Sequence, residues 1–202
     1  IYTSDHGLAG NRVWAVAGDE STIWAGCYGD GLSCSHGVGF RTIDISNATF
    51  NKWIRVLHYS EKHELLLVGS EEGFGIMKNN LVLRLAESPV DPASIRVVTG
   101  IEEGEDKIII TSYKTGVYYY YPEQGKIVRK SGENESYPTS SSASFITITG
   151  DTLFSYHRKG ITGRKGQGNT TIADTSFGQV FSMSEDQDNT VWFAAWSFDM
   201  IQ

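Results

Sequence analysis

His58 and His63 stand five residues apart with Glu61 and Glu64 beside them, and imidazole and carboxylate are donors that a transition metal takes. A metal site needs two more ligands converging on one point, and the spacing reads instead as a solvated hairpin. Asp186 and Asp188 alternate as in a calcium loop, but position five is Thr190, no glycine follows, and no bidentate glutamate stands at the required distance. They read as an acidic turn. Gly163-Arg164-Lys165-Gly166-Gln167-Gly168 is glycine-rich, yet it follows a strand pattern without opening a helix, so it lacks the context of a phosphate-cradling loop. No Gly-x-Ser-x-Gly elbow presents a serine nucleophile. On this reading no catalytic residue, metal or cofactor is assigned.

The residues that suit ligand binding are rings and guanidinium groups. Tyr28, Tyr113, His157 and Trp196 each stand three residues before a recurring glycine or its stand-in, Ser70 fills the same place in a further unit, and Tyr156 neighbours His157. Arg12, Trp53, Arg96, Ser144 and Gln179 fall just before the strands that open each unit. Flat amphipathic rings interleaved with fixed donors suit a sugar, whose C–H faces pack on aromatics while its hydroxyls take hydrogen bonds. Arg12, Arg96 and the basic run His157-Arg158-Lys159 also suit a carboxylate or sulfate on that sugar. The candidate binding residues are Tyr28, Tyr113, His157, Arg158, Trp196, Arg12 and Arg96. The competing reading is that rings at such turns only cover the hairpin beneath them.

The elements that position these residues follow from a repeat. Gly31-Leu32, Gly73-Phe74, Gly116-Val117, Gly160-Ile161 and Asp199-Met200 recur at intervals of 42, 43, 44 and 39 residues. Each marker closes the same grammar: a short alternating strand such as Val13 to Val16, a polar turn, a second strand such as Leu65-Leu66-Leu67-Val68, a tight turn, and a third strand. The second strand is apolar on both faces, as in a sheet with neighbours on either side. Fainter fourth strands are placed at 40–43, 81–85 and 126–129, and helix-period stretches are absent. A period of about 40–45 residues with this content predicts an all-β chain, a β-propeller of four-stranded antiparallel blades. About five repeats are present as one domain, with units near 5–46, 47–91, 92–138, 139–174 and 175–202.

Gly7 to Val16, Thr22-Ile23-Trp24-Ala25-Gly26 and Gly31-Leu32 resemble the two-component regulator propeller repeat, as does the acidic turn and Trp strand from Ser184 to Phe193. The middle units keep its spacing and lose most of its letters. The resemblance implies a non-catalytic, periplasmic or otherwise extracytoplasmic sensing region of a bacterial hybrid histidine-kinase system, found typically in gut Bacteroidetes. It also implies an oligosaccharide or related nutrient as ligand, with further blades and a downstream signalling domain as partners. Ser184 to Trp192 is superficially similar to the Asp-box turn of sialidases, but the spacing is one residue too long and the glycine is missing. A protein-interaction scaffold and a lyase or glycan-processing enzyme are the alternatives.

A net charge of −7 over 202 residues opposes nucleic acid and anionic membrane as partners, and no apolar run is long enough to span a bilayer. Ile1 to Ser4 read as the last strand of a blade. Either Ile1–Thr3 completes the fifth blade and closes a small ring, or the chain is part of a larger propeller, whose open apolar faces favour a homodimer. Cys27 and Cys34 flank the first inner hairpin; with residues 28–31 as its loop they share one face diagonally, at the outer limit of disulfide geometry, and two free buried thiols are expected.

Overall fold

The computed structural model describes residues 1–113, 115–130, 143–146, 152–156, 160–165, 168–173, 179–188 and 190–196. Strands β1 (Val13–Gly18), β2 (Ile23–Cys27), β3 (Gly31–His36) and β4 (Gly39–Thr42) pair in chain order into an antiparallel sheet. The same order builds a second sheet from β5 (Ile54–Ser60), β6 (Leu65–Ser70), β7 (Phe74–Lys78) and β8 (Leu81–Val82). A third comprises β9 (Val98–Glu103), β10 (Ile108–Ser112), β11 (Gly116–Tyr121) and β12 (Lys126–Arg129). The fourth contains β13 (Ala143–Ile146), β14 (Thr152–Tyr156), β15 (Gly160–Lys165) and β16 (Gly168–Ala173), and β17 (Gln179–Glu185) pairs with β18 (Val191–Trp196). First strands succeed one another around an axis, β1 beside β5, β5 beside β9, β9 beside β13 and β13 beside β17. This is the expected propeller arrangement.

The second strands explain the stack. Every residue of β6 and of β10 is buried. Along β6, Leu66 and Val68 join Trp24, Leu32, Cys34 and Leu57 in a cluster between the first and second sheets. Leu65 and Leu67 turn the other way and pack with Val98, Ile101, Ile108 and Ile110 between the second and third. At about 1.5–3 kcal/mol per fully buried aliphatic side chain, neither sheet face could be left wet. On the first sheet the face turned away from the second is open at Val16 and Ile23, which are 62% and 49% exposed.

The recurring glycines are required by backbone geometry. Gly31, Gly73 and Gly116 have φ of +108°, +108° and +101°, in the half of conformational space where side chains are penalised. At Gly73 a Cβ would also lie 1.8 Å from the Thr49 carbonyl oxygen.

Four expectations need correction. The outer strand near residues 81–85 is limited to Leu81–Val82: Met77↔Val82 is its last ladder pair, and after the Leu83 amide donates to the Ile76 carbonyl at 2.8 Å the chain leaves this outermost edge. Ile1–Thr3 is no strand of a fifth sheet. Thr3 is tied to the His6 ring by its amide (3.2 Å) and hydroxyl (3.0 Å), Ser4–His6 form a 3₁₀ turn, and Gly7 (φ +90°) ends it. The segment then lies on the first sheet, with Tyr2 edge-on to Phe40 at 5.3 Å and the Ala9 amide donating to Ser33 Oγ at 2.7 Å.

The thiols are free and buried, as expected, but they lie on opposite faces. Cys27 pairs with Gly31 and Trp24 with Cys34, so the hairpin loop is residues 28–30, and this shift of one residue reverses the face. Cys27 donates its thiol hydrogen to the Gly10 carbonyl at 3.2 Å. Ser70 and Ser112 end β6 and β10 as Cys27 ends β2, and all three are fully buried. Ser70 was expected on the rim beside Tyr28; its amide and hydroxyl instead both bond to the Gly73 carbonyl (3.1 and 3.0 Å), which leaves a turn of two residues, one fewer than between Cys27 and Gly31.

Substituting Gly73→Ala should cost more than about 3 kcal/mol, whereas Gly125→Ala, at φ +60° with nothing near its Cβ position, should cost about 1–2 kcal/mol in chemical denaturation. Cys27→Ser, which keeps a donor for the Gly10 carbonyl, should shift stability by less than about 1 kcal/mol.

Candidate functional site

The loop after each second strand is pinned to the segment entering a first strand. The Tyr28 amide donates to the Arg12 carbonyl (2.9 Å), the Glu71 amide to Trp53 (3.1 Å), and the Tyr113 amide to Val97 (3.0 Å). Tyr28, Glu71 and Tyr113 are therefore the equivalent rim positions on three successive sheets. An isolated bridge between Tyr28 and Trp53 joins the first rim loop to the second sheet.

Bulges complete the cluster. The pairing of β1 with β2 slips between Val13 and Ala15, and that of β5 with β6 slips between Ile54 and Val56. An extra residue re-aims a side chain at such points. Trp14 and Arg55 occupy them. The Trp14 ring lies 3.8 Å from that of Tyr28, centroid to centroid at 47°, and Trp53 meets the other side of Tyr28 edge-on at 4.8 Å. Arg55 sits 5.5 Å over Trp14 and pairs with Glu71 at 2.5 Å, while the Tyr28 hydroxyl donates to the same Glu71 oxygen at 3.0 Å. Arg12 lies 5.9 Å over the Tyr28 ring. Removal from water, followed by the hydrogen bond to Glu71 and its charge, pushes the Tyr28 phenol above its ordinary pKa, against the pull of Arg55 and Arg12. Trp14 and Trp53 nonetheless remain 57% and 42% exposed, an apolar surface held open to solvent.

Of the residues expected to bind, Tyr28 and Arg12 meet here with Trp53. Arg96 lies at the next junction, bound to Glu72 at 2.6 Å, and Tyr113 stands half-buried on the third sheet. Trp196 ends β18 opposite Gln179. His157, Arg158 and Lys159 lie outside the described residues. Ser144 and Gln179 stand within β13 and at the start of β17, rather than ahead of those strands. Trp14, Arg55, Glu71 and Glu72 were missed. An arginine inside the apolar run Ile54-Arg55-Val56 and the acidic pair before Gly73 were the available signals.

On the outer side of the same rim, a cleft of about 510 Å³ is lined by Asp30, Ile43, Ile45, Phe50, Asn51 and Lys52, among others. The Gly29 and Gly31 amides, donating to the Lys52 carbonyl at 3.1 and 3.2 Å, separate it from the aromatic cluster.

His58 and His63 stand on the β5–β6 hairpin, whose turn residues Glu61, Lys62 and Glu64 are exposed as expected, but the two rings are not left to solvent. The second and third sheets bring Glu103 between them, 3.1 Å from His58 Nε2 and 4.0 Å from His63 Nε2, and Ser60 donates to that carboxylate at 2.7 Å. Among the described residues no group of three or more such side chains is arranged to hold a metal. Asp186 closes an acidic turn as expected, accepting from the Asp188 and Thr190 amides and from Trp192 Nε1 at 2.7 Å. The Trp192 bond and these amides hold its carboxyl below the usual range.

The fold is that of the β-propellers. The extracellular domain of the hybrid two-component system BT4673 from B. thetaiotaomicron superposes with a TM-score of 0.71 at 17% identity, over 92% of this chain and 26% of that one. For the corresponding domain of BT3049 from the same organism, the TM-score is 0.69 at 16% identity, over 91% and 26%. Virginiamycin B lyase from Staphylococcus aureus gives 0.65 at 16% identity, over 91% and 63%. This chain thus spans about a quarter of the length of the two extracellular domains. No family model and no curated protein matches it.

Truncating Glu71→Ala should leave Arg55 and the Tyr28 hydroxyl without their shared acceptor and lower stability by about 1–2 kcal/mol, with a changed tryptophan emission spectrum from Trp14 and Trp53. Away from the rim, burial raises the Glu102 carboxyl from 4.5 to about 7. Its protonated form is favoured in the folded chain, so that stabilisation is complete below pH 4.5 and is lost as pH rises through about 7. Glu102→Gln should flatten the dependence of stability on pH in that window and stabilise the protein at pH 8 by up to about 3 kcal/mol.

Proposed function

We propose that the chain is part of an extracytoplasmic, non-catalytic sensor of a hybrid two-component system, and that its aromatic rim receives an oligosaccharide. The observation that carries this reading is the open pair Trp14 and Trp53 flanking Tyr28, with Glu71 and Arg55 fixing the group from below. Exposed rings in a fixed, shallow arrangement suit the C–H face of a pyranose, and Arg12 is placed to donate to its hydroxyls.

Two features support a sensor over an enzyme. The polar groups at the rim are committed to one another, Glu71 to Arg55 and Tyr28, and Glu72 to Arg96, which suits shape recognition better than proton transfer. Extracellular domains of hybrid two-component systems share the fold and extend well beyond the length of this chain. Further blades and a signalling domain in the same polypeptide would be its partners, and binding would act by favouring one relative arrangement of those parts.

Isothermal titration of the protein against a panel of plant and host oligosaccharides tests the reading. Saturable binding without product formation is expected, weakened about tenfold or more by Trp14→Ala or Trp53→Ala in protein that remains folded by circular dichroism. Product formation, or binding indifferent to both substitutions, would overturn it.

A further inference from the structure

The end of the propeller opposite the aromatic rim carries a second recess. The β1–β2 turn (Asp19 to Thr22), the end of the β5–β6 turn at Glu64, and the β7–β8 turn (Asn79, Asn80) surround a cavity of about 290 Å³ between the first and second sheets. Trp24 and Tyr59 line it, stacked at 4.9 Å and 20°, with Leu66 and Met77 beneath. Its walls are firmly set. Trp24 Nε1 donates to Asn80 Oδ1 at 2.8 Å, and Asn79 and Asn80 have φ of +52° and +61°, the two left-handed positions of a tight hairpin turn. Asp19 Oδ1 accepts from the Ser21 amide and hydroxyl and from the Thr22 amide at 2.6–2.9 Å.

The lining is rich in acceptors and poor in positive charge. Asp19 is held ionised, because the Ser21 amide, with smaller help from its hydroxyl and the Thr22 amide, keeps its carboxyl below the ordinary range. The Tyr59 phenol is pushed up by burial and then by the fields of Asp19, Glu64 and Glu61, and of these carboxylates Asp19 and Glu64 line the cavity. Lys78 balances only Glu64, at 3.1 Å. An aromatic wall in a negative field favours a cation, whereas the hydroxyls of Ser21 and Thr22 and the two Asn amides favour a polyhydroxylated one. The volume lies at the lower end of small-molecule pockets, about 300 Å³, and suits one ring.

We propose that this recess is a second binding site, independent of the aromatic rim, for a protonated amino sugar. The ammonium group lies toward Asp19 and Glu64, and the ring hydroxyls meet Ser21, Thr22, Asn79 and Asn80.

The test is titration of the protein with glucosamine, glucose and N-acetylglucosamine at neutral pH and low salt, followed by NMR. Glucosamine should bind saturably, with the two uncharged sugars at least about tenfold weaker and added salt reducing the difference. Because Asp19 also organises its own turn, the informative variants are Glu64→Gln and Tyr59→Ala, which should weaken glucosamine binding. Lys78→Gln, by releasing Glu64, should strengthen it about two- to fivefold. In a Trp14→Ala background, which disables the rim, the preference for glucosamine and its dependence on Glu64 and Tyr59 should persist. Absence of saturable glucosamine binding, equal binding of glucose, or indifference to both Glu64→Gln and Tyr59→Ala would each overturn the proposal.

Discussion

Burial of a strand on both faces is the constraint from which the rest follows. In β6 successive leucines go to different cores, Leu66 and Val68 toward Trp24 and Leu32, Leu65 and Leu67 toward Val98 and Ile110. A strand of this kind needs a sheet on each side of its own, and each of those sheets has the same need through its own second strand. Stacking around an axis meets the need repeatedly with one supersecondary unit. It also sends all second-to-third loops to one end and all first-to-second turns to the other. Residues far apart in sequence, such as Tyr28 and Glu71, become neighbours because they are the same position on adjacent blades.

Much of this was legible because it is periodic. The marker glycines reported a backbone conformation, φ near +108°, which needs no tertiary context to be demanded. The second strands could be recognised because a short, continuous apolar run bounded by turns fits little besides a strand packed on both faces. What could not be read is everything that depends on one residue more or less. The three-residue β2–β3 loop moved Cys27 to the face opposite Cys34, and the shorter β6–β7 turn put Glu71 where Ser70 was expected. The bulges at Trp14 and Arg55 are likewise single-residue events with no letter of their own, and they turn apparent strand residues into rim residues. Contacts between blades were equally hidden, since neither histidine near Glu61 signals that Glu103 will stand between them.

The two ends of the propeller differ chemically although one repeat builds both. At the rim of the second-to-third loops, guanidinium groups balance carboxylates almost one to one, Arg55 with Glu71 and Arg96 with Glu72, and aromatic surface remains exposed. At the other end between the first two sheets, carboxylates exceed cations and the aromatic pair is recessed. Loop ends can diverge in this way because only the strand faces are constrained by packing.

The rim cluster also bears on how binding could be felt beyond the site. Trp14 belongs to the first sheet and Trp53 to the segment entering the second, and Glu71 ties Tyr28 of the first blade to Arg55 of the second. A molecule resting on both indoles therefore touches two blades, and its contact energy depends on the angle between them. Only a ligand with such a dependence can shift an equilibrium between arrangements, because equal affinity for both leaves their populations unchanged. A ring held within one blade would lack that leverage. On the function proposed above, the division of this cluster across a blade junction is the feature that would let recognition become a mechanical signal.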